Sequence, residues 1–156
     1  MRIAVVSDTH GAVMHLRALK EVFDTCDELF FLGDGENDIR LVRSHFTTQT
    51  VAVAGNNDFH SSLLKETVEE VSGVRFFLTH GHLYGVRADL NNLYDRAVEL
   101  NCKFALFGHT HKAVIKEMAG VTLMNPGSLG YPYNSRPSYG IIEGEPERLF
   151  AKIVYI

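Results

Sequence analysis

Short apolar runs and amphipathic stretches alternate along the first half of the chain and give way to strand-like alternation in the second. The runs Ile3 to Val6, Leu29 to Leu32, Val51 to Ala54, Phe76 to Leu78 and Phe104 to Phe107 are rich in Val, Phe and Leu. Each is too short for a helix and reads as a buried strand. After the first run, Leu16, Leu19, Val22 and Phe23 recur at helical spacing and predict an amphipathic helix from about Ala12 to Thr25. A shorter helix is expected around Asp38 to Ser44, a third strand at Thr50 to Ala54, and a last helix from about Ala88 to Asn101. The opening βαβαβ order predicts a largely parallel sheet with helices packed outside it.

Past Asn57 the rhythm changes. Alternating stretches at Lys65 to Val71 and Val74 to Thr79 meet at Ser72-Gly73, which predicts a hairpin. From Ala113 onward the pattern is strand and turn, with runs at Val114 to Met118, Val121 to Met124, Ser138 to Glu143 and Arg148 to Val154. Breaks fall at Ala119-Gly120, Asn125-Pro126-Gly127 and Gly144-Glu145-Pro146. These late runs fit a second, mostly antiparallel sheet. Two sheets in a chain of 156 residues must bury their apolar faces on each other, leaving the helices outside. With no repeat, low-complexity tract or linker, a single domain over residues 1–156 is expected.

Composition narrows the function classes. The chain is 46% hydrophobic and 22% charged, with net charge −4 and no run of Lys or Arg. Extended nucleic-acid binding therefore has little electrostatic support. No apolar stretch approaches the ~18 to 20 residues that span a bilayer, so no membrane partner is expected. A first strand starting at Arg2 leaves no room for a secretory signal. Cys26 and Cys102, near the ends of predicted helices, read as buried free thiols, and a cytoplasmic, reduced protein is expected. Homo-oligomerisation is left open.

The chemistry lies just past the strands. Asp8-Thr9-His10-Gly11, Gly33-Asp34-Gly35, Gly55-Asn56-Asn57-Asp58, Thr79-His80-Gly81-His82 and Gly108-His109-Thr110-His111 each come directly after an apolar run. In open α/β sheets the C-terminal edge of the strands is where ligands bind, so segments far apart in sequence can converge there. Asp8 and His10 are two apart, as are His109 and His111, and on extended backbone each pair points to one side and can reach one ion. Asp34, Asn56 and His80 each add one oxygen or nitrogen. These donors are too many for a single zinc and suit two cations sharing a carboxylate. Imidazole, carboxylate and amide without thiolate favour Mn²⁺, Fe, Ni²⁺ or Zn²⁺. Taken singly, each segment reads as a turn, a helix cap or a satisfied polar residue. Their recurrence after five strands is what points to a metal site.

The ordered set Asp8-x-His10, Gly33-Asp34, Gly55-Asn56-x-Asp58, His80-Gly81-His82 and Gly108-His109-x-His111 resembles the calcineurin-like metallophosphoesterase superfamily. The short chain with Asn125-Pro126-Gly127-Ser128 is similar to its compact YfcE-type phosphodiesterases. The resemblance implies an α/β fold, a four-layer α/β/β/α sandwich of two mixed β-sheets flanked by helices. It implies two divalent metal ions per chain, Mn²⁺ foremost, with Ni²⁺, Fe or Zn²⁺ as alternatives. Asp8, His10, Asp34 and His111 would hold the first, and Asp34, Asn56, His80 and His109 the second, with Asp34 as the bridge. The implied activity is hydrolysis of a small phosphodiester or nucleotide-like substrate. Two cations roughly 3.5 to 4 Å apart would acidify a bridging water, giving a hydroxide nucleophile for an in-line displacement.

Many superfamily members carry His after the metal-binding Asn, where this chain has Asn57. An amide donates a hydrogen bond but delivers no proton at neutral pH. The YfcE-type branch tends to lack that His as well. Asp58 either orients neighbouring loop groups or closes an Asx turn. His82 is expected beside the metals, contacting substrate or a carboxylate, or else in a structural role. The catalytic candidates are thus Asp34, Asn57, Asp58 and His82. His15 and His45 are assigned to the surface and His60 to a pocket rim. Ser128, Tyr131, Tyr133 and Arg136 are candidates for the mouth, where Arg136 would suit a second phosphate oxygen. The alternatives are a phosphomonoesterase or nucleotide phosphatase, and a non-catalytic metal-binding scaffold resembling the retromer subunit of this fold. A repair nuclease would need further domains, and an amidohydrolase would need a barrel of ~250 residues.

Overall fold

A computed structural model describes residues 1–156. Two five-stranded sheets stack face to face, and the element order is that of a mixed α/β chain. The first contains β1 (Arg2–Val6), β2 (Glu28–Phe31), β3 (Gln49–Ala52), β9 (Ser138–Glu145) and β10 (Arg148–Tyr155), in the spatial order β10-β9-β1-β2-β3. The second contains β4 (Glu66–Val71), β5 (Val74–Thr79), β6 (Phe104–Leu106), β7 (Val114–Met118) and β8 (Val121–Asn125), in the order β4-β5-β6-β8-β7. Both are mixed. β1, β2 and β3 are mutually parallel, as are β5, β6 and β8, while β4, β7, β9 and β10 pair antiparallel with their neighbours.

The period-two pattern of the strands explains the layers. Ile3, Val5, Phe30 and Leu32 face the second sheet and pack on Phe76, Leu78, Phe104 and Leu106 in one buried core. Their neighbours Ala4, Val6, Leu29 and Phe31 face outward onto Leu16, Phe23, Ile39 and Val42 of the helices α1 (Val13–Ala18), α2 (Lys20–Phe23) and α3 (Glu36–Val42). On the far side, Phe77, Ala105 and Leu123 pack on Leu93 and Ala97 of α4 (Asn91–Glu99). This is the expected α/β/β/α sandwich. No helix is long and apolar enough to cross a membrane.

Three expectations change. The helix expected from Ala12 to Thr25 is two short helices, because Leu19 (φ −89°, ψ 5°) leaves the helical region between them. The late strands do not form a sheet of their own. β7 and β8 complete the second sheet, whereas β9 pairs with β1 and carries β10 onto the edge of the first. Asp8, His10, His109 and His111 do not lie on extended backbone; all four have positive φ. The hairpin at Ser72-Gly73 turns as expected, both residues having positive φ (51° and 80°), the signature of a type I′ turn.

Candidate metal centre

Where β1 and β2 of one sheet and β5 and β6 of the other end, their loops meet over the seam between the sheets. One ligand atom each from Asp8, His10, Asp34 and His111 lies within 4.8 Å of the others. His10 Nε2 is 3.3 Å from His111 Nε2, and Asp8 Oδ1 is 3.1 Å from His111 Nε2. His80 Nε2 completes the group, 3.4 Å from Asp34 Oδ2 and 3.9 Å from Asp8 Oδ1. The rings of His80, His82 and His109 cluster beside it, with centroids 5.5, 5.2 and 6.1 Å apart.

Left-handed backbone, not extended strand, aims these side chains. Asp8, His10, Asp34, His109 and His111 have φ of 54°, 41°, 57°, 68° and 57°. Each such residue costs about 1 to 3 kcal/mol, and a cluster of them marks a site where surrounding contacts hold the chain against its preference. Those contacts are visible. The Asp58 carboxylate accepts four backbone amides, from Asp34 and Gly55 on Oδ2 (both 2.8 Å) and from Gly35 and Glu36 on Oδ1 (both 2.9 Å). This is a brace between two strand-end loops, and it replaces the Asx-turn alternative. Gly55 and Gly108 are required by contact, since a Cβ would lie 2.1 Å from Asp34 Oδ1 and 2.0 Å from Ser7 Oγ respectively.

The tautomers follow from the carbonyls. His80 Nδ1 donates to Leu32 O (2.7 Å) and His111 Nδ1 donates to Tyr131 O (2.6 Å), which leaves each Nε2 directed at the carboxylates. Burial pushes the Asp8 carboxyl up, but His10 and His111 outweigh it and hold it well below the usual range. Burial likewise works against Asp34, yet the His80 and Asn57 contacts bring it down to about 2. Burial opposes charge on His80, while Asp34 and Asp8 raise it above the usual imidazole value; Asp8 also raises His111. Burial and the nearby His80 lower His82, and the same causes with Arg87 bring His109 down to about 4.

A divalent cation fits this donor set. Asp8 Oδ1 and His80 Nε2 are fully buried and lack hydrogen-bond partners, a costly condition that a cation between them would relieve. The donors are imidazole nitrogens and carboxylate oxygens, the set that first-row divalent metals prefer.

Not every residue singled out in the sequence comes to this cluster. Asn56 is exposed, and it is Asn57 that reaches Asp34, with its Nδ2 donating to Oδ2 (2.6 Å) and its backbone N–H to Oδ1 (2.8 Å). His45 is exposed, as expected. His15 is half-buried and its Nδ1 donates to Leu129 O (2.8 Å), a corrected surface assignment that ties α1 to the late loop. His60 lines a small polar cavity with Asn57 and Arg40. Ser128 is buried and does not line the mouth; its Oγ donates to Asp8 O (2.7 Å) and receives the Tyr131 amide (2.8 Å). Arg136 is also corrected, because its guanidinium stacks on Tyr155. Cys26 and Cys102 are buried free thiols.

The sequence reading missed Asp38, Ser7, Asn125 and Arg87. Asp38 Oδ2 receives the Thr9 hydroxyl (2.6 Å) and the Gly11 amide (2.7 Å), bracing the His10 loop from α3. Ser7 Oγ donates to Asp8 Oδ2 (2.6 Å), and Asn125 Nδ2 donates to Gly108 O (2.7 Å). The one signal for Asp38 was its place after Gly35 in a first helical turn, where an acidic residue is equally a helix-dipole partner.

Two packed mixed sheets with carboxylates and imidazoles converging at their strand ends define a class of metal-binding α/β sandwich. Residues 1–146 match the calcineurin-like phosphoesterase superfamily domain, and the chain belongs to that superfamily. It is 36% identical to phosphodiesterase YfcE of Escherichia coli strain K12 over 170 aligned residues, covering 93% of this chain and 89% of YfcE. The crystal structure of an uncharacterised phosphoesterase-like protein from Streptococcus pneumoniae superposes with a TM-score of 0.86 at 24% identity, covering 99% of this chain and 88% of that one. A single-mutant Vps29 from Entamoeba histolytica shares the fold at a TM-score of 0.79 and 21% identity, covering 100% and 99%.

Proposed function

We propose that this protein is a metal-dependent phosphodiesterase, acting as one domain over residues 1–156. It carries two divalent cations per chain, Mn²⁺ foremost and Ni²⁺, Fe or Zn²⁺ as alternatives. Asp8, His10, Asp34 and His111 hold one, and Asp34, His80 and His109 the other, with Asn56, exposed in this structure, as a further donor to the second once its side chain turns inward. The observation that carries the reading is the pair of buried, unpartnered atoms, Asp8 Oδ1 and His80 Nε2, inside a cluster of carboxylates and imidazoles, with His82 Nδ1 a third unpartnered atom beside them. YfcE, named a phosphodiesterase, supports the choice of ester.

When bound, the cations neutralise phosphate charge and lower the pKa of the attacking water. The chain supplies the rest. Asp8 and Asp34 stay ionised through the neutral range and bring negative charge to the seam. Leu32 O and Tyr131 O fix His80 and His111 so that each Nε2 faces inward. Asn57 orients Asp34 and offers N–H donation, but no proton, to a substrate oxygen. Burial and the nearby His80 lower the His82 pKa, and its ring lies beside His80 as a hydrogen-bonding group. The net reaction adds water across one P–O bond and releases an alcohol and a phosphomonoester. A cytoplasmic setting suits the two buried free thiols.

Metal analysis of the loaded protein combined with turnover of bis(nitrophenyl) phosphate tests the proposal. Close to two ions per chain with turnover is expected. At most one weakly held ion, with no turnover across several divalent metals, would favour the scaffold reading instead.

A further inference from the structure

Beside His109 and His111 the surface opens into a cavity of about 830 Å³, whose walls include Tyr131, Tyr133, Phe107, Arg87 and Lys112. That volume lies in the range of small-molecule sites, about 300 to 1,000 Å³. Phe107 is buried and forms apolar floor, while Tyr131 and Tyr133 are 66% and 60% exposed at the mouth. Exposed aromatic rings are usually mobile, but these stand on a fixed backbone. His111 Nδ1 donates to Tyr131 O, and Tyr133 N donates to His111 O (3.0 Å). Ser128 Oγ accepts the Tyr131 amide, and Pro132 stiffens the segment between the two rings. The Tyr131 ring also lies edge-on to His10, with centroids 5.5 Å apart, so it reaches from the cavity to the ligand cluster.

The lining also carries charge. Arg87 Nη2 stands 3.5 Å from His109 O, and Lys112 adds a second exposed cation against the single carboxylate of Asp89. A flat apolar group would lie against the tyrosines while an anionic group met Arg87. An acyl chain would gain from the floor but leave these polar rims without partners.

We propose that this cavity is the recognition pocket for the aromatic arm of a phosphodiester of the nucleotide class, with Tyr131 and Tyr133 as its stacking wall and Arg87 as its anion contact. It rests on the phosphodiesterase reading and specifies the substrate. Rigid aromatic side chains contribute contact area at little entropic cost, and a base stacked on one gains from about five-fold to over a hundred-fold in binding, so selectivity of about ten-fold is expected.

The test uses two esters with the same leaving group, thymidine 5′-(nitrophenyl phosphate) and methyl nitrophenyl phosphate, on the metal-loaded protein. The thymidine ester should have a kcat/KM about ten-fold higher, and Tyr131→Leu with Tyr133→Leu should remove that preference. Calorimetric binding supplies a readout apart from turnover. Thymidine 5′-monophosphate should bind more tightly than ribose 5-phosphate, the double variant should erase the difference, and Arg87→Gln should weaken both. If the double variant does not fold, Tyr133→Leu alone carries the comparison. Equal efficiency on the two esters, or tyrosine variants that lower both equally, overturns this inference while leaving the phosphodiesterase reading intact. Hydrolysis of neither ester overturns both.

Discussion

Removing the Asp58 carboxylate should unfasten two loops at once. Its two oxygens accept the amides of Asp34, Gly55, Gly35 and Glu36, all between 2.8 and 2.9 Å. A hydrogen bond to a charged group is worth about 1.5 to 3 kcal/mol net, and here water can replace part of the loss because Asp58 is half-buried. Asp58→Ala should therefore cost about 3 to 5 kcal/mol. Asp58→Asn keeps one oxygen, and with it one pair of amides, so it should cost about half as much. At roughly 2 to 4 °C per kcal/mol for a chain of this size, the Ala variant should melt about 10 °C below the native protein and the Asn variant between them.

The same brace sets the left-handed backbone of Asp34, so both substitutions should also weaken metal binding, by about ten- to a hundred-fold for Ala, as loss of groups that orient ligands does elsewhere. Differential scanning calorimetry with titration of Mn²⁺ measures both quantities. Native-like stability in Asp58→Asn, or equal losses in the two variants, would refute the argument, because four accepted amides cannot be halved without a graded effect.

Asp34→Ala removes the ligand shared by both proposed cation sites; metal analysis should show a loss of bound ions and the chromogenic assay a fall to background, and near-normal turnover would contradict the assignment. The metal-free protein should be most stable between pH of about 4 and 6.5. Asp8 and Asp34, held low, contribute above the unfolded carboxylate value of about 3.9, and the Asp34 share is lost as pH falls through about 2. His80 and His111, held high, contribute below about 6.5 and lose that contribution as pH rises through their raised values, so the gain in melting temperature on adding Mn²⁺ should grow from acid to alkaline pH. Because Asn57 gives a hydrogen bond but no proton, kcat/KM across diesters should fall steeply as leaving-group pKa rises, and Asn57→His should flatten that slope; a flat native dependence, with the chemical step rate-limiting, would point to another donor.

The layers were legible because strand alternation is a local property. Ile3 and Val5 against Ala4 and Val6 already separate the two faces of β1. Which sheet receives β9 and β10 was not legible, since Ile141 and Ile142 alternate in the same way wherever the strand is laid down. Pairing with the free edge of β1 decides it. That placement also brings Tyr155 under Arg136, which is why an arginine read as a phosphate contact is instead stacked on a ring. Asp38 was hidden differently. In sequence it is one acidic residue in a first helical turn, and only the packing of α3 against the β1 loop brings it to Thr9 and Gly11.

The ligand-bearing residue types stood in the sequence in plain order, but the backbone that presents them did not. Extended geometry would have sent Asp8 and His10 to one side by simple alternation. The chain instead places both in the left-handed region, a choice no isolated Asp or His favours. Local preference loses there because the competing terms are several and fixed: Ser7 and the His109 amide on Asp8 Oδ2, Ser128 on the Asp8 carbonyl, and Asp38 on the Thr9 hydroxyl. Below them the apolar core that joins the two sheets keeps the loops from separating. Strained dihedrals, buried unpartnered atoms and opposed ionisable groups thus occur together at one seam, while the strands beneath obey their local rules. A chain that breaks its own folding rules in one place, and stabilises the breach from every side, has a geometry to maintain there that folding alone does not require.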